Sequence, residues 1–253
     1  TETRRLAPPA PRPPYEARPR RLSVTEIETW RRDPYAIYAR RILRLEKLDD
    51  LDAELMANTY GTLVHDILDR FLRLYPIALP PDAETNLMAM GEQVFGAETG
   101  RPKVWGFWRP RFQRIAHWFI TKEQQRRARI KKIHSEIKAE LVIKTGTKDF
   151  VLSAKVDRID EFTSGGLAII DYKTGKPKEK LTATDKEQLL IYQIAAQQIP
   201  QYKNVGAPSK LTYYYLEDEI RTSFIGENKD LEKLKESIGE SINNIKAQKF
   251  DAT

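Results

Sequence analysis

The chain contains no cysteine in its 253 residues, which excludes disulfides, thiolate zinc sites, cysteine nucleophiles and cysteine-ligated iron–sulfur clusters. It also lacks any run approaching the roughly 18 apolar residues that a membrane-spanning helix needs. Its first residues, Thr1-Glu2-Thr3-Arg4-Arg5, lack the charged-then-apolar order of a signal peptide. A soluble, cytoplasmic protein with no membrane partner is expected. Negative charge is in the minority: Lys+Arg 43 against Asp+Glu 36 leaves +7, which suits a polyanion such as nucleic acid. At about 100–200 residues per domain, the length corresponds to one large domain or one domain with arms. The absence of an initial methionine, together with a Pro/Arg-rich start, suggests a domain of a longer polypeptide.

Residues 1–21 hold six prolines and six arginines, a composition that favours an extended, solvated linker or arm. Residues 22–253 then read as a single domain in three parts. The first, 22–135, is mostly helical. Ser23 with Glu26 three residues on makes a capping box ahead of Ile27 and Trp30. Helices are predicted over 35–46, over 61–72 with Val64, Leu68, Phe71 and Leu72 as an apolar stripe, over 83–98, and over a long stretch at 107–135. The acidic stretch Asp49–Glu54 reads as a loop. The second part, 136–225, turns to strands: Ala139–Thr145 and Phe150–Ile159 around a turn-prone Thr145–Lys148, then the apolar run Leu167–Lys173 reached through Ser164-Gly165-Gly166. A helix at 185–198 and strands at 210–216 and 219–225 follow. The third part, 226–253, is a lysine-rich closing helix whose charges read as a solvated face. The fold class is therefore α/β, with a helical half preceding a sheet.

Asp157 lies seven residues before Ser164 and Asp171 seven after it, so a hairpin centred there brings the two carboxylates opposite each other. Facing anions repel unless something cationic lies between them, and a hard divalent cation suits two carboxylates. Lys173, two residues beyond Asp171, shares its face by strand parity, while Tyr172 points away. Metal, ammonium and basic surface together point to phosphodiester hydrolysis. An isolated Asp-x-Lys is an ordinary exposed pair, but a charged pair ending the buried run Ile169-Ile170 costs desolvation unless it is compensated.

These residues fall into four ordered motifs: Gly61-x-x-x-His65, Val156-Asp157-Arg158-Ile159-Asp160, Ile170-Asp171-Tyr172-Lys173-Thr174-Gly175 and Gln188-Leu189-x-x-Tyr192. In that order they resemble the RecB-family nucleases of the PD-(D/E)XK superfamily. Within that family the C-terminal nuclease domain of alphaproteobacterial AddB, partner of the AddA helicase-nuclease, is the form they resemble most. The resemblance covers roughly residues 22–225. It implies a restriction-endonuclease-like core, a small mixed sheet flanked by helices. It also implies a Mg²⁺- or Mn²⁺-dependent exonuclease acting mainly on single-stranded DNA during double-strand break processing, beside an AddA-like helicase subunit, and leaving a 5′-phosphate. His65, Asp157 and Asp171 would be metal ligands together with the main-chain carbonyl of Tyr172. Lys173 would be catalytic, and Gln188 and Tyr192 would line the site. The chain has Ala154 where relatives often have glycine and Asp33 where some have a cluster-ligating cysteine, so no iron–sulfur cluster is expected.

Other residues leave alternatives open. His65 alone, beside Leu63, Val64, Ile67 and Leu68, reads as a core or boundary residue. Glu136 or Glu140 serves equally well as an accessory ligand or as a solvated edge charge. Asp160, of opposite parity to Asp157, is expected in a structural salt bridge. Trp108, Arg109, Arg111 and Arg114 make a candidate single-strand DNA path, with Trp118 better read as core. The rival function is a non-catalytic DNA-binding or docking module on a degenerate nuclease scaffold, against which the retention of Asp157, Asp171 and Lys173 argues.

Overall fold

Ser23 starts the first helix as the capping chemistry predicts. Its hydroxyl accepts from the Glu26 amide at 3.2 Å while the Glu26 carboxylate accepts from the Ser23 amide at 2.8 Å. The structure, a computed structural model, describes residues 10–46, 54–99, 102–144, 148–177, 181–202, 205 and 208–247. In chain order it comprises β1 (Arg21–Ser23), α1 (Val24–Arg32), α2 (Pro34–Ile37) continued by a π-helical turn to Ile42, α3 (Glu54–Leu74), α4 (Ala83–Thr99) and α5 (Pro102–Arg126). There follow β2 (Ile130–Ile143), β3 (Phe150–Phe162), β4 (Leu167–Lys173), α6 (Ala183–Gln198), β5 (Pro208–Tyr215), β6 (Ile220–Phe224) and α7 (Asn228–Lys246).

The six strands form one mixed sheet in the order β1-β3-β4-β5-β6, with β2 also on β3. Antiparallel β2 covers one edge of β3 along its whole length. The other edge of β3 is shared: β1 runs parallel to it at Val151–Ser153, and β4 runs antiparallel to it from Arg158↔Ile170 to Glu161↔Leu167. Between those two partners the edge of β3 is open, and the sheet forks there. Gly165 and Gly166 make the β3–β4 turn at φ 86° and 87°, in the left-handed region that glycine enters without a Cβ clash. Beyond the fork β4 pairs in parallel with β5, Asp171 opposite Tyr213 and Lys173 opposite Tyr215.

Strand parity divides the core into two layers. Ile169, Tyr213 and Tyr215 pack with α1, α6 and α7, while Ile170, Tyr172 and Tyr214 pack with α3, α4 and α5. In α7 the buried residues Leu231, Leu234, Ile238, Ile242 and Ile245 recur at helical spacing and leave the lysines in water, as expected. In the other layer Phe95 meets Trp108 at 5.3 Å, Phe112 at 5.5 Å and Tyr60 at 5.7 Å, an aromatic cluster that ties α3, α4 and α5 together.

Three expectations are corrected. The helix predicted to run through 135 ends at Arg126, and residues 130–143 are strand. Ile133, Ile137, Ala139, Leu141 and Ile143 alternate, but Lys131, Lys132, His134 and Glu136 between them hide the period. Residues 10–20, expected as a solvated arm, fold onto the domain. Arg18 is buried, with its guanidinium on the Pro13 carbonyl at 3.1 Å and on the Lys246 carbonyl at the end of α7. Trp108 is 2% exposed and so cannot stack on a base; helical periodicity places it with Phe112, Ile115 and Phe119 on the buried face of α5. The expected acidic loop lies outside the described residues except for Glu54, which opens α3, as do residues 145–147 of the predicted turn. Among the described residues no helix is long and apolar enough to cross a membrane.

Candidate active site at the fork of the sheet

The last ladder pair of β3 and β4 is Arg158↔Ile170, so continuing the register places Asp157 opposite Asp171 just where the strands diverge. Divergence frees the Tyr172 amide from its strand partner, and the Asp157 carboxylate takes it, Oδ2 accepting at 2.8 Å. The sequence-based hairpin is thus present, with Asp157 bracing the point where β4 leaves β3.

Each layer contributes one side of the site. From α3, His65 Nδ1 lies 3.4 Å from Asp157 Oδ1, with its ring edge-on to Tyr172. Gly61, one turn earlier, allows this approach: a Cβ there would come within 2.8 Å of Thr174 Oγ1, immediately after Lys173. From α6, Gln188 reaches both catalytic candidates of β4. Its Nε2 donates to Asp171 Oδ1 at 3.1 Å and its Oε1 accepts from Lys173 Nζ at 2.9 Å. Nε2 also donates to the Tyr192 hydroxyl at 2.8 Å, one helical turn on. Lys173 Nζ lies 2.7 Å from Asp171 Oδ2, a charge contact without hydrogen-bond alignment, and 5.2 Å from the centre of the Tyr213 ring.

Burial drives the Asp171 carboxyl up to about 6, with the Asp157 charge adding to the rise and Lys173 opposing it. Burial alone would lower His65, but the hydrogen bond and charge of Asp157 override it and raise the imidazole above its ordinary value. The Tyr192 phenol is driven upward by burial and then by the Asp171 charge, so it stays protonated.

Glu136 completes the group. The register on either side sets it opposite Asp157, and its backbone is left-handed at φ 53°, an uncommon conformation that interrupts the β2–β3 ladder at that pair. One ligand atom each from His65, Glu136 and Asp157 lies within 4.8 Å of the others. In an octahedral shell with bonds of about 2.1 Å, donors lie about 3–4 Å apart, so this trio fits a divalent ion after small adjustment. Imidazole and carboxylate together suit Mn²⁺ somewhat better than Mg²⁺. Asp171 stands outside that trio, held by Gln188 and Lys173. Of the two accessory candidates, Glu136 joins the site, also paired with Lys155, whereas Glu140 makes a half-exposed pair with Arg21 at 2.7 Å. An open cleft of about 790 Å³ lies beside His65, Glu136 and Asp157. A second cavity of about 250 Å³ lies beside Lys173, Gln188 and Tyr213.

The proposed DNA path is not brought together. Trp108 is core, and Arg111 forks onto Glu217 at 2.6 and 2.7 Å while lying over the Tyr60 ring. Arg109 and Arg114 are exposed on α5. Asp160 is buried in ion pairs with Arg158, at 2.6 Å, and Arg126. Sequence reasoning missed Tyr213, although strand parity on β5 would have found it, and it missed Glu123, which is joined to Arg158 across 35 positions at 2.7 Å.

A family model of the PD-(D/E)XK nuclease superfamily matches residues 21–253. An uncharacterised protein of Rickettsia bellii is 30% identical over 175 residues, covering 68% of this chain and 21% of that protein. Another from Rickettsia conorii is 32% identical over 179 residues, with coverage of 68% and 21%. The chain spans about a fifth of the length of these relatives. A solved structure from Eubacterium rectale, provisionally named an exonuclease, is similar at a TM-score of 0.47 and 11% identity, covering 93% of this chain and 83% of that one. Every strand and helix that meets at the fork falls within the family match, and the chain belongs to the PD-(D/E)XK nuclease superfamily.

Proposed function

We propose that this chain is a metal-dependent deoxyribonuclease domain that hydrolyses phosphodiester bonds of mainly single-stranded DNA, working as an exonuclease on double-strand break ends within a helicase-nuclease. The observation that carries the reading is the fork itself, where Asp157, Asp171 and Lys173 converge at the end of a buried strand with His65 and Glu136 beside them. His65, Asp157, Glu136, Asp171 and the Tyr172 carbonyl would hold Mg²⁺ or Mn²⁺. Such an ion, when bound, polarises a phosphoryl oxygen and makes a water more acidic.

The chain's own groups do the positioning. Lys173, fixed between Asp171 and Gln188, has a further donor to offer a phosphoryl oxygen as its charge builds, or to orient the attacking water. Gln188 sets the spacing of Lys173 and Asp171 through one amide, and Tyr192 fixes the orientation of that amide. The net charge of +7 favours association with DNA. The four motifs favour an AddB-type setting, in which an AddA-like helicase subunit feeds single strands to the domain.

End-labelled single- and double-stranded DNA, incubated with Mg²⁺, Mn²⁺ or EDTA, tests the proposal. Metal-dependent cutting that disappears in both Asp171→Ala and Lys173→Ala is expected. Salt-dependent binding without cutting, even with the helicase partner supplied, would instead establish a docking module.

A further inference from the structure

A third concavity lies on the face of β5 opposite the one that Lys173 meets. Tyr213 and Tyr215 face the layer into which Lys173 points, whereas the intervening Thr212 and Tyr214 face the other way and floor a cavity of about 230 Å³ between β5, β6 and the end of α5. Five cations line it: Lys122, Arg126, Arg129, Lys210 and Arg221. Among the described residues no carboxylate lines it.

Several other arginines among the described residues are answered directly by carboxylates. Arg111 forks onto Glu217, and Arg41 forks onto Glu26 at 2.6 Å through each of two nitrogens. In this cavity Arg129, Lys210 and Arg221 make no ion pair among the described residues. Arg126 is engaged with Asp160 and the Tyr214 hydroxyl, and Lys122 lies over the Trp118 ring at 5.7 Å. Lys210 is held below its ordinary range, by burial first and then by Arg221, Arg126 and Arg129, so these cations repel one another across the space. The Thr212 and Ser223 hydroxyls, 3.0 Å apart, add polar wall.

An anion seated here removes the repulsion. The volume of about 230 Å³ is well above the roughly 30 Å³ share of a water and below the roughly 300 Å³ at which drug-sized pockets begin, which suits one compact anionic group. A phosphate monoester carries about −1.5 to −2 charges and three acceptor oxygens, and guanidinium forks match it in geometry. A single carboxylate would leave most of the five cations unanswered.

We propose that this cavity is a phosphate-monoester site, distinct from the catalytic fork, which receives the terminal phosphate of a nucleic-acid strand or of a free nucleotide. The site does not depend on the nuclease reading, because it uses neither a metal ion nor any residue of the fork.

Calorimetric titration in EDTA tests it with dAMP against deoxyadenosine, and with a short 5′-phosphorylated oligonucleotide against its 5′-hydroxyl counterpart. At least one phosphorylated probe is expected to bind about tenfold or more tightly than its partner, a difference of about 1.4 kcal/mol. A preference for dAMP alone identifies the free nucleotide as the source, and a preference for the strand alone identifies the strand end. Lys210→Gln combined with Arg221→Gln, two residues of the cavity wall, is expected to abolish the preference. Lys233→Gln with Lys235→Gln, the same charge change on the outer face of α7, is expected to keep it. Equal binding of phosphorylated and unphosphorylated probes by the wild type, or a preference that survives Lys210→Gln/Arg221→Gln, would overturn the proposal.

Discussion

Asp157 and Arg158 are neighbours on β3, point to opposite faces of the sheet, and each stands at the centre of a cluster of charges. Around Arg158 the charges close on one another. Its Nη1 and Nη2 fork onto Glu123 at 2.7 and 3.1 Å, its Nε meets Asp160 at 2.6 Å, and Arg126 and Arg127 flank the same two acids. Around Asp157 they do not close: with His65 and Glu136 it lines an open cleft, and Asp171 opposite it has Lys173 as its principal cation. Burial does not separate the two clusters, since Asp171 is 3% exposed and Arg158 0%. What separates them is completeness of pairing. The closed cluster is a structural tie, while the open one retains charge that can act on something else.

The comparison breaks most readily at Asp171. Asp171→Asn removes one of two facing carboxylates and is expected to reduce cleavage by about 10³-fold or more. Because burial and Asp157 disfavour its ionised form above about pH 6, the same change is expected to leave the urea midpoint in EDTA at neutral pH unchanged or raised. A variant that cleaves normally, or one that unfolds, would mean that the open cluster is structural too. Arg158→Met should behave in the opposite way. Removing the fully buried cation that Glu123 and Asp160 share, with only Arg127 and Arg126 left at their flanks, is expected to cost about 3 kcal/mol in urea unfolding. A double change, Glu123→Leu with Arg158→Met, should recover much of that loss, since an apolar pair needs no compensation. A cost below about 1 kcal/mol for Arg158→Met would show that the cluster is solvated rather than closed.

The two clusters were unequally legible in the sequence. The open one depends on short-range arithmetic: equal spacing about a Ser-Gly-Gly turn, period-2 parity from Asp171 to Lys173, and one helical turn from Gln188 to Tyr192. Local geometry of that kind survives folding, and β4 is Leu167–Lys173 as predicted. The closed cluster joins Glu123 at the end of α5 to Arg158 on β3, a contact made by packing, which no local period records. Asp160 could be assigned to the far face, but its partner Arg126 could not. The same limit applies to Arg111, whose partner Glu217 lies 106 positions away, but not to Trp108, whose helical spacing to Phe112, Ile115 and Phe119 already marks the buried face of α5. Glu136 was ambiguous for a different reason: a left-handed φ in mid-strand is set by its neighbours, not by glutamate.

A smaller effect tests how closely α3 must approach β4. The methyl group of Gly61→Ala would meet Thr174 Oγ1 at 2.8 Å, displacing either α3 with His65 or the segment just after Lys173. Displacements of about 1 Å at a reacting centre cost up to about a hundredfold, so a tenfold to hundredfold loss of cleavage is expected. Removing the hydroxyl with Thr174→Ala leaves only the Thr174 Cβ position, at 4.0 Å from the new methyl, an ordinary contact. The double variant is therefore expected to regain most of the activity. No rescue would mean that the glycine serves the helix rather than the approach.

The smallest predicted effect concerns acid. Glu26 and Glu123 both lie below the ordinary 4.5 in the folded chain. Burial alone would raise each, but the Arg41 hydrogen bond overrides it for Glu26 and the Arg158 charge for Glu123. A carboxylate with a depressed folded value stabilises the fold above its unfolded value and loses that contribution as pH falls through the folded one. Urea midpoints should therefore fall as pH drops below 4.5. Glu26→Gln should lower the neutral midpoint and flatten the acid decline by its own share, leaving the share of Glu123. Asp171 has the opposite sign, its folded value being raised to about 6, so Asp171→Asn should make the acid decline steeper. Opposite changes in slope from Glu26→Gln and Asp171→Asn would distinguish a carboxylate stabilised by its cation from one disfavoured by burial, on one molecule and without any substrate, whereas equal slopes would remove the distinction.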